Sequence, residues 1–148
     1  MQVITYEKRQ PLGVVFLLMA KQLSVRATCG RKSVGCLIAR GKVIISSGVN
    51  GPRTFKCGEL GCDLSKPCNY AIHAEANAIK NAQDNNIDIR GTALYCTTAP
   101  CVDCAQLIIE AGIAIVNYSE DYRNNEGIAL LTKNDIEVNK VNLWANIR

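Results

Sequence analysis

Aromatic side chains are scarce in this chain, with one tryptophan, two phenylalanines and five tyrosines among 148 residues. A protein that tracks a nucleic-acid strand needs aromatic faces for the bases to stack on, set in a positively charged groove. No such strip is present, and positive charge is not concentrated either. The formal net charge is +4. Lys and Arg are scattered, with only short pairs such as Lys8-Arg9 and Arg31-Lys32, whereas a dedicated duplex-DNA binder shows a basic block or stripe. No nucleic-acid partner is therefore expected. The mild basicity suits a small anionic substrate, and equally no particular partner. Long apolar runs are missing too. Residues 12–20 are apolar but fall far short of the roughly 20 residues that span a bilayer. Glu7 precedes the run, Lys21 follows it, and Phe16, Met19, Leu23 and Ala27 continue at helical spacing. The segment reads as a first core helix and not as a signal core or a membrane span, so reducing cytoplasm is the expected compartment. Repeats, low-complexity tracts, linkers and a Walker-type phosphate loop are all absent. Residues 1–148 are read as a single domain, long enough for one proper core.

Histidine is the scarcest chemical resource, since His73 is alone. Cysteine is not scarce. Eight occur, at 29, 36, 57, 62, 68, 96, 101 and 104. In an exported chain they would suggest disulfides; in a reducing compartment close-spaced cysteines hold metal or are simply buried.

The pattern predicts a helix over residues 12–28, a buried strand over 34–39 and its hairpin partner over 42–46, joined tightly at Arg40-Gly41. Residues 48–63 read as a glycine-broken loop. A helix starts near His73 and runs toward Ala82 in strong helix formers. A strand follows over 92–97. Pro100 then opens a helix, where its missing N–H costs little, and Gly112 caps that helix. A strand over 114–118, a helix over 126–133 and a short strand near 136–138 complete the order. Helix-linked strands in the second half imply a mixed sheet with helices on both faces, a three-layer α/β/α sandwich.

The strongest feature is the pair of segments His73-Ala74-Glu75 and Pro100-Cys101-Val102-Asp103-Cys104. Cysteines three apart at a helix start share nearly one face, so both sulfurs reach one ion. The helix N-terminus favours the thiolate form that binds zinc. With His73 at the start of the other helix, three protein ligands leave one tetrahedral position open, as in a catalytic zinc site. Glu75 points elsewhere in the same first turn. It can take a proton from a zinc-activated water and deliver it to a ring nitrogen and then to a departing amine. Alone, His73 could be a core histidine and the cysteine pair a redox pair or a structural half-site. The conjunction H-x-E…P-C-x-x-C is a known signature of zinc-dependent nucleobase deaminases.

On these residues the chain resembles the cytidine/deoxycytidylate deaminase superfamily, and more narrowly its deoxycytidylate (dCMP) deaminases. The likeness runs from the first helix to about Tyr122. It is carried by Val34-Gly35-Cys36, Gly48-Val49-Asn50-Gly51, His73-Ala74-Glu75-Ala76-Asn77-Ala78-Ile79, and the stretch from Leu94 through Pro100-Cys101 to Ala105 and on to Ile113. The resemblance implies hydrolysis of dCMP to dUMP and ammonia, supplying thymidylate synthesis. It implies that Asn50 contacts the deoxyribose, although Val49 stands where the family usually has tyrosine. Ala74 would orient the pyrimidine through its backbone. Tyr122 matches an aromatic position near the phosphate end, and Arg123 beside it is a reasonable phosphate partner; either could also be an ordinary surface residue. Arg53 is a further phosphate candidate. Many family members are hexamers activated by dCTP and inhibited by dTTP, with Mg2+ on the triphosphate, so a homo-oligomer with such effectors is implied.

Cys29, Cys57, Cys62 and Cys68 form a second group. Three of them lie in or beside a glycine-rich loop without core-forming periodicity, which a thiolate-bound zinc would order. Some dCMP deaminases similar to this chain carry a structural zinc in equivalent regions. A four-cysteine structural site is expected, against free thiols or three cysteines with another ligand. Cys36 and Cys96, inside apolar strands, read as plain core. The competing functions are another deaminase of the superfamily, acting on cytidine, tRNA adenosine or polynucleotide cytidine, and a non-catalytic zinc-stabilised nucleotide-binding module. Cytidine deaminases usually have Cys in place of His73, and a binding module has no chemical need for Glu75.

Overall fold

The computed structural model describes residues 10–29, 32–52, 65 and 72–144. Helix α1 (Leu12–Leu23) buries Val14, Phe16, Leu17 and Ala20, an apolar stripe at helical spacing. It stops before the predicted residue 28. The Ser24 hydroxyl donates to the carbonyl of Lys21, and the chain tightens into a 3₁₀ turn over Ser24–Arg26. Strands β1 (Gly35–Arg40) and β2 (Val43–Val49) form the expected hairpin, with β2 beginning one residue later and ending three residues later than predicted. Its two-residue turn is Gly41-Lys42, one residue later than predicted, with Gly41 at φ 60°.

Helix α2 (Ala74–Asp84) returns across the sheet to β3 (Ala93–Thr98). Gly48 lets the two surfaces approach: a Cβ there would lie 2.6 Å from the Ala74 carbonyl oxygen and 2.5 Å from the Ala78 nitrogen. Helix α3 (Val102–Glu110) begins at Cys101 as N-cap, so Pro100 lies one residue outside the helix and not at its first position. Gly112 is likewise one residue beyond the C-cap Ala111, in the left-handed conformation with φ 75°. Strand β4 (Ile115–Glu120), helix α4 (Glu126–Lys133) and strand β5 (Glu137–Lys140) follow. The last strand is shifted toward the C-terminus from its predicted place because its register is set by β4, Ile115 opposite Glu137.

The five strands lie in the order β2-β1-β3-β4-β5. β1 is antiparallel to both β2 and β3, while β3, β4 and β5 are parallel, so the sheet is mixed as expected. On one face α1 packs through Phe16, Leu17 and Ala20 against Leu37, Ala39 and Tyr95. On the other, α2, α3 and α4 bury Ala78, Ile108 and Leu131 against Ile38, Leu94 and Val116. This is an α/β/α sandwich. Among the described residues, no helix is long and apolar enough to cross a membrane.

Candidate active site

Helices α2 and α3 flank the central strand β3, and their first residues meet at one end of it. His73 caps α2 in an extended conformation, φ −69° and ψ 155°, and Cys101 caps α3 in another, φ −72° and ψ 172°. The Cys101 sulfur accepts from the Cys104 backbone N–H at 3.5 Å, which joins both cysteines to the first turn of α3. His73 Nδ1 lies 3.4 Å from Cys101 Sγ and 3.3 Å from Cys104 Sγ. Zn–N bonds near 2.0–2.1 Å and Zn–S bonds near 2.3 Å in a tetrahedron place N and S about 3.5 Å apart. The donor set therefore fits a zinc ion, and all three ligand atoms lie within 4.8 Å of one another.

The thiols compete in the protein alone. The bond from Cys104 and then the one from His73 pull the Cys101 thiol down to about 4, against the effect of burial. Cys104, bonded to Cys101 and buried, is pushed up. A bound dication removes this competition, because both sulfurs can then be thiolates at once. His73 is raised by its bond to Cys101.

Glu75 is 4% exposed. Burial raises its pKa, opposed by a hydrogen bond that Cys96 Sγ donates to Glu75 Oε1 at 3.1 Å. Cys96 sits opposite Cys36 in the β1–β3 register, and both are fully buried. Cys96 was expected as plain core; it is core, and it also bonds the carboxylate. Its role was not visible in the sequence, because only the pairing of β1, β3 and α2 shows which core thiol faces Glu75.

These groups open onto a cavity of about 470 Å³, the size of a small-molecule site. Asn50, His73, Ala74, Glu75, Tyr122 and Arg123 all line it, together with Cys101; Cys104 lies behind, buried. Asn50 is 8% exposed. Its Oδ1 accepts from Val34 N–H at 2.8 Å and its Nδ2 donates to Lys32 O at 2.6 Å, which ties residues 32–34 to the wall. One lone pair and one N–H of the amide are left over for other partners. Arg123 donates to the Tyr122 hydroxyl at 3.0 Å, its guanidinium 5.3 Å from the ring centre.

The wall also holds Lys32, Val34, Thr98, Ala99 and Asp121, to none of which the sequence alone gives a role in a site. Lys32 was visible only as half of a scattered basic pair. Cys29 is a half-buried free thiol on the same wall. Its proposed companions Cys57, Cys62 and Cys68, like Arg53, lie outside the described residues.

A sandwich that brings histidine and paired thiols together at two helix starts, with a buried carboxylate opening on the same cavity, has the layout of a zinc-site deaminase domain. The sequence agrees. The model of the cytidine and deoxycytidylate deaminase zinc-binding region matches residues 14–120, and the chain belongs to that family. It is 38% identical to ComE operon protein 2 of Bacillus subtilis over 113 residues, 74% of this chain and 60% of that protein. It is 34% identical to the deoxycytidylate deaminase of Saccharomyces cerevisiae over 131 residues, 80% of this chain and 41% of that one. The chain thus spans about 40–60% of the length of these two curated relatives. Among solved structures, the dCMP deaminase of cyanophage S-TIM5 in complex with dCMP and dUMP superposes with a TM-score of 0.82 at 28% identity, covering 94% of this chain and 100% of that one.

Proposed function

We propose that this protein deaminates dCMP hydrolytically, converting dCMP and water to dUMP and ammonia, and so supplies dUMP for thymidylate synthesis. The observation that carries this reading is the buried Glu75 carboxylate on the wall of the cavity that His73 and Cys101 also line. When bound, zinc supplies a Lewis acid that brings the pKa of a ligating water toward ~7. His73, Cys101 and Cys104 hold the ion. Glu75 accepts the first proton of the water, passes it to ring N3 as the water oxygen joins C4, then takes the second proton from that oxygen and delivers it to the amine as the C4–N bond breaks and the C4 carbonyl forms. Cys96, bonded to Oε1, fixes the carboxylate's position while its other oxygen serves the transfer. The Ala74 backbone orients the base, Asn50 the sugar, and Tyr122 and Arg123, with Arg53 as a further candidate, the phosphate. The names of the yeast relative and of the cyanophage enzyme support the monophosphate over the free nucleoside.

The same reading takes residues 1–148 as one cytoplasmic domain that assembles as a homo-oligomer, in the manner of a hexamer, with dCTP activating and dTTP inhibiting through Mg2+ on the triphosphate. It assigns a second, structural zinc to Cys29, Cys57, Cys62 and Cys68. One experiment tests these together: ammonia release from dCMP, cytidine, CMP, single-stranded DNA and tRNA, with and without dCTP and dTTP, beside a zinc count per chain. Turnover of dCMP above the others is expected. Absence of ammonia from dCMP with zinc fully loaded would refute the activity, identical rates with and without effectors would remove the regulation, and one zinc per chain would remove the structural site.

A further inference from the structure

Strand β2 lies at an edge of the sheet, with β1 as its one strand neighbour among the described residues. A strand in that place presents a row of backbone groups without a ladder partner. Helix α2 covers part of this row with two asparagines one turn apart. Asn81 donates from Nδ2 to the Ser47 carbonyl at 2.7 Å, and Asn77 donates from Nδ2 to the Val49 carbonyl at 2.7 Å. The spacings match, since two residues along a strand advance about 6.6 Å and four along a helix about 6 Å. A third bond, from the Ser46 hydroxyl to the Ala78 carbonyl at 2.7 Å, completes the clamp.

The two asparagines differ in what lies beside them. Asn81 grips β2 within the strand. Asn77 grips its last residue and reaches further, its Nδ2 also standing 3.4 Å from the Gly51 carbonyl. Val49 and Gly51 flank Asn50, the buried amide on the cavity wall that fastens Lys32 and Val34. Asn77 itself is 7% exposed and does not line that cavity. Its backbone N–H closes the first turn of α2 on the His73 carbonyl, and Glu75 lies within that turn. One side chain thus joins the peptides on both sides of Asn50 to the turn that carries His73 and Glu75.

We propose that Asn77 is a positioning residue that fixes Asn50 relative to Glu75, so that the wall holding the sugar of the substrate stays aligned with the carboxylate that moves the protons. The proposal rests on the deaminase reading and adds to it a residue that touches no substrate. An amide suits the task. Carbonyls only accept, so one group that grips two of them needs two N–H bonds on one nitrogen; a carboxylate has no donor to offer and a hydroxyl has one.

The test measures dCMP kinetics, zinc content and melting temperature for the zinc-loaded wild type, Asn77→Ala and Asn81→Ala, and for Asn77→Ala in an Asn50→Ala background. Asn77→Ala is expected to keep its zinc and to raise KM for dCMP roughly 3- to 10-fold, the effect of one lost hydrogen bond. Its kcat changes by less than about twofold, because Ser46 and Asn81 still clamp the helix that carries Glu75 and the loss falls on binding. Asn81→Ala loses the same kind of bond at a carbonyl away from Asn50, so it melts lower to a similar extent while its KM stays at the wild-type value. In the Asn50→Ala background Asn77→Ala adds little to KM, since a residue that acts through another loses its effect once that one is gone. Four outcomes overturn the proposal: wild-type KM in Asn77→Ala, loss of zinc or of the folded state in that variant, an equal rise of KM in Asn81→Ala, or Asn50→Ala and Asn77→Ala penalties that simply add. Failure of the deaminase reading is distinguishable, since the wild type itself would then release no ammonia from dCMP, and the proposal would fall with it.

Discussion

Gly127 lies in the first turn of α4, buried against the peptide that joins Pro100 to Cys101. A Cβ built on it would stand 2.1 Å from the Pro100 carbonyl oxygen and 2.9 Å from the carbonyl carbon and oxygen of Cys101. Real Cβ atoms essentially never come within 3.0 Å of such atoms, so Gly127→Ala must part α4 from this peptide by about 1 Å, an overpacking that costs about 1–3 kcal/mol. Alanine is the better helix former and offsets about 1 kcal/mol of that. The net loss of stability is therefore about 0–2 kcal/mol. The effect on chemistry should be larger, because the displaced peptide carries Cys101, one of the three clustered donors, whose carbonyl accepts from the Ala105 N–H to start α3. A misplacement near 1 Å can cost about 100-fold in rate. Urea unfolding, zinc content and kcat/KM for dCMP, measured on the same preparation, separate the two effects. Activity should fall well beyond what the loss of folded protein explains. Wild-type zinc content and wild-type kcat/KM in Gly127→Ala would show that the α4 contact does not hold the ligand in place.

Two further outcomes are expected. Glu75→Gln keeps the shape of the buried side chain but cannot carry a proton, so dCMP turnover should drop about 10²–10⁴-fold while metal analysis finds zinc still bound; a variant near the wild-type rate would remove Glu75 from the reaction. Gly13→Ala, in the first turn of α1, adds a methyl whose nearest neighbour is Tyr95 at 3.8 Å, ordinary contact. It should stabilise the protein by about 0.4–1 kcal/mol in urea unfolding, and a destabilised variant would show that α1 is packed more tightly against β3 than this distance implies.

The elements were legible because each is written locally. Alternating or continuous apolar residues mark β1, β3 and β4, and strong helix formers mark α2. Their ends shifted where tertiary structure decides them. Ser24 closes α1 with its own hydroxyl, and the start of β5 follows the register of β4. The cluster of His73, Cys101 and Cys104 could be anticipated because both halves of it sit at helix starts with fixed spacing. What surrounds the cluster could not. That Cys96 reaches Glu75 depends on the pairing of β1 with β3. Lys32 and Asp121 arrive on the cavity wall from segments flanking β1 and β4, and no local pattern distinguishes them from solvated charges. Gly127 is unremarkable in the sequence, since the closeness of Pro100 exists only after α4 has docked.

The central position of β3 has a consequence for how such a protein can change. The strand has two neighbours on either side, and the helices that bear the cluster run directly into and out of it. The β1–β2 hairpin turn and the edge strands β2 and β5 lie at the periphery. Insertions or appended segments there need not disturb the spacing between the starts of α2 and α3. The architecture separates a part that must stay fixed from margins that are free to grow, and lineages can lengthen or trim those margins while retaining the same metal chemistry.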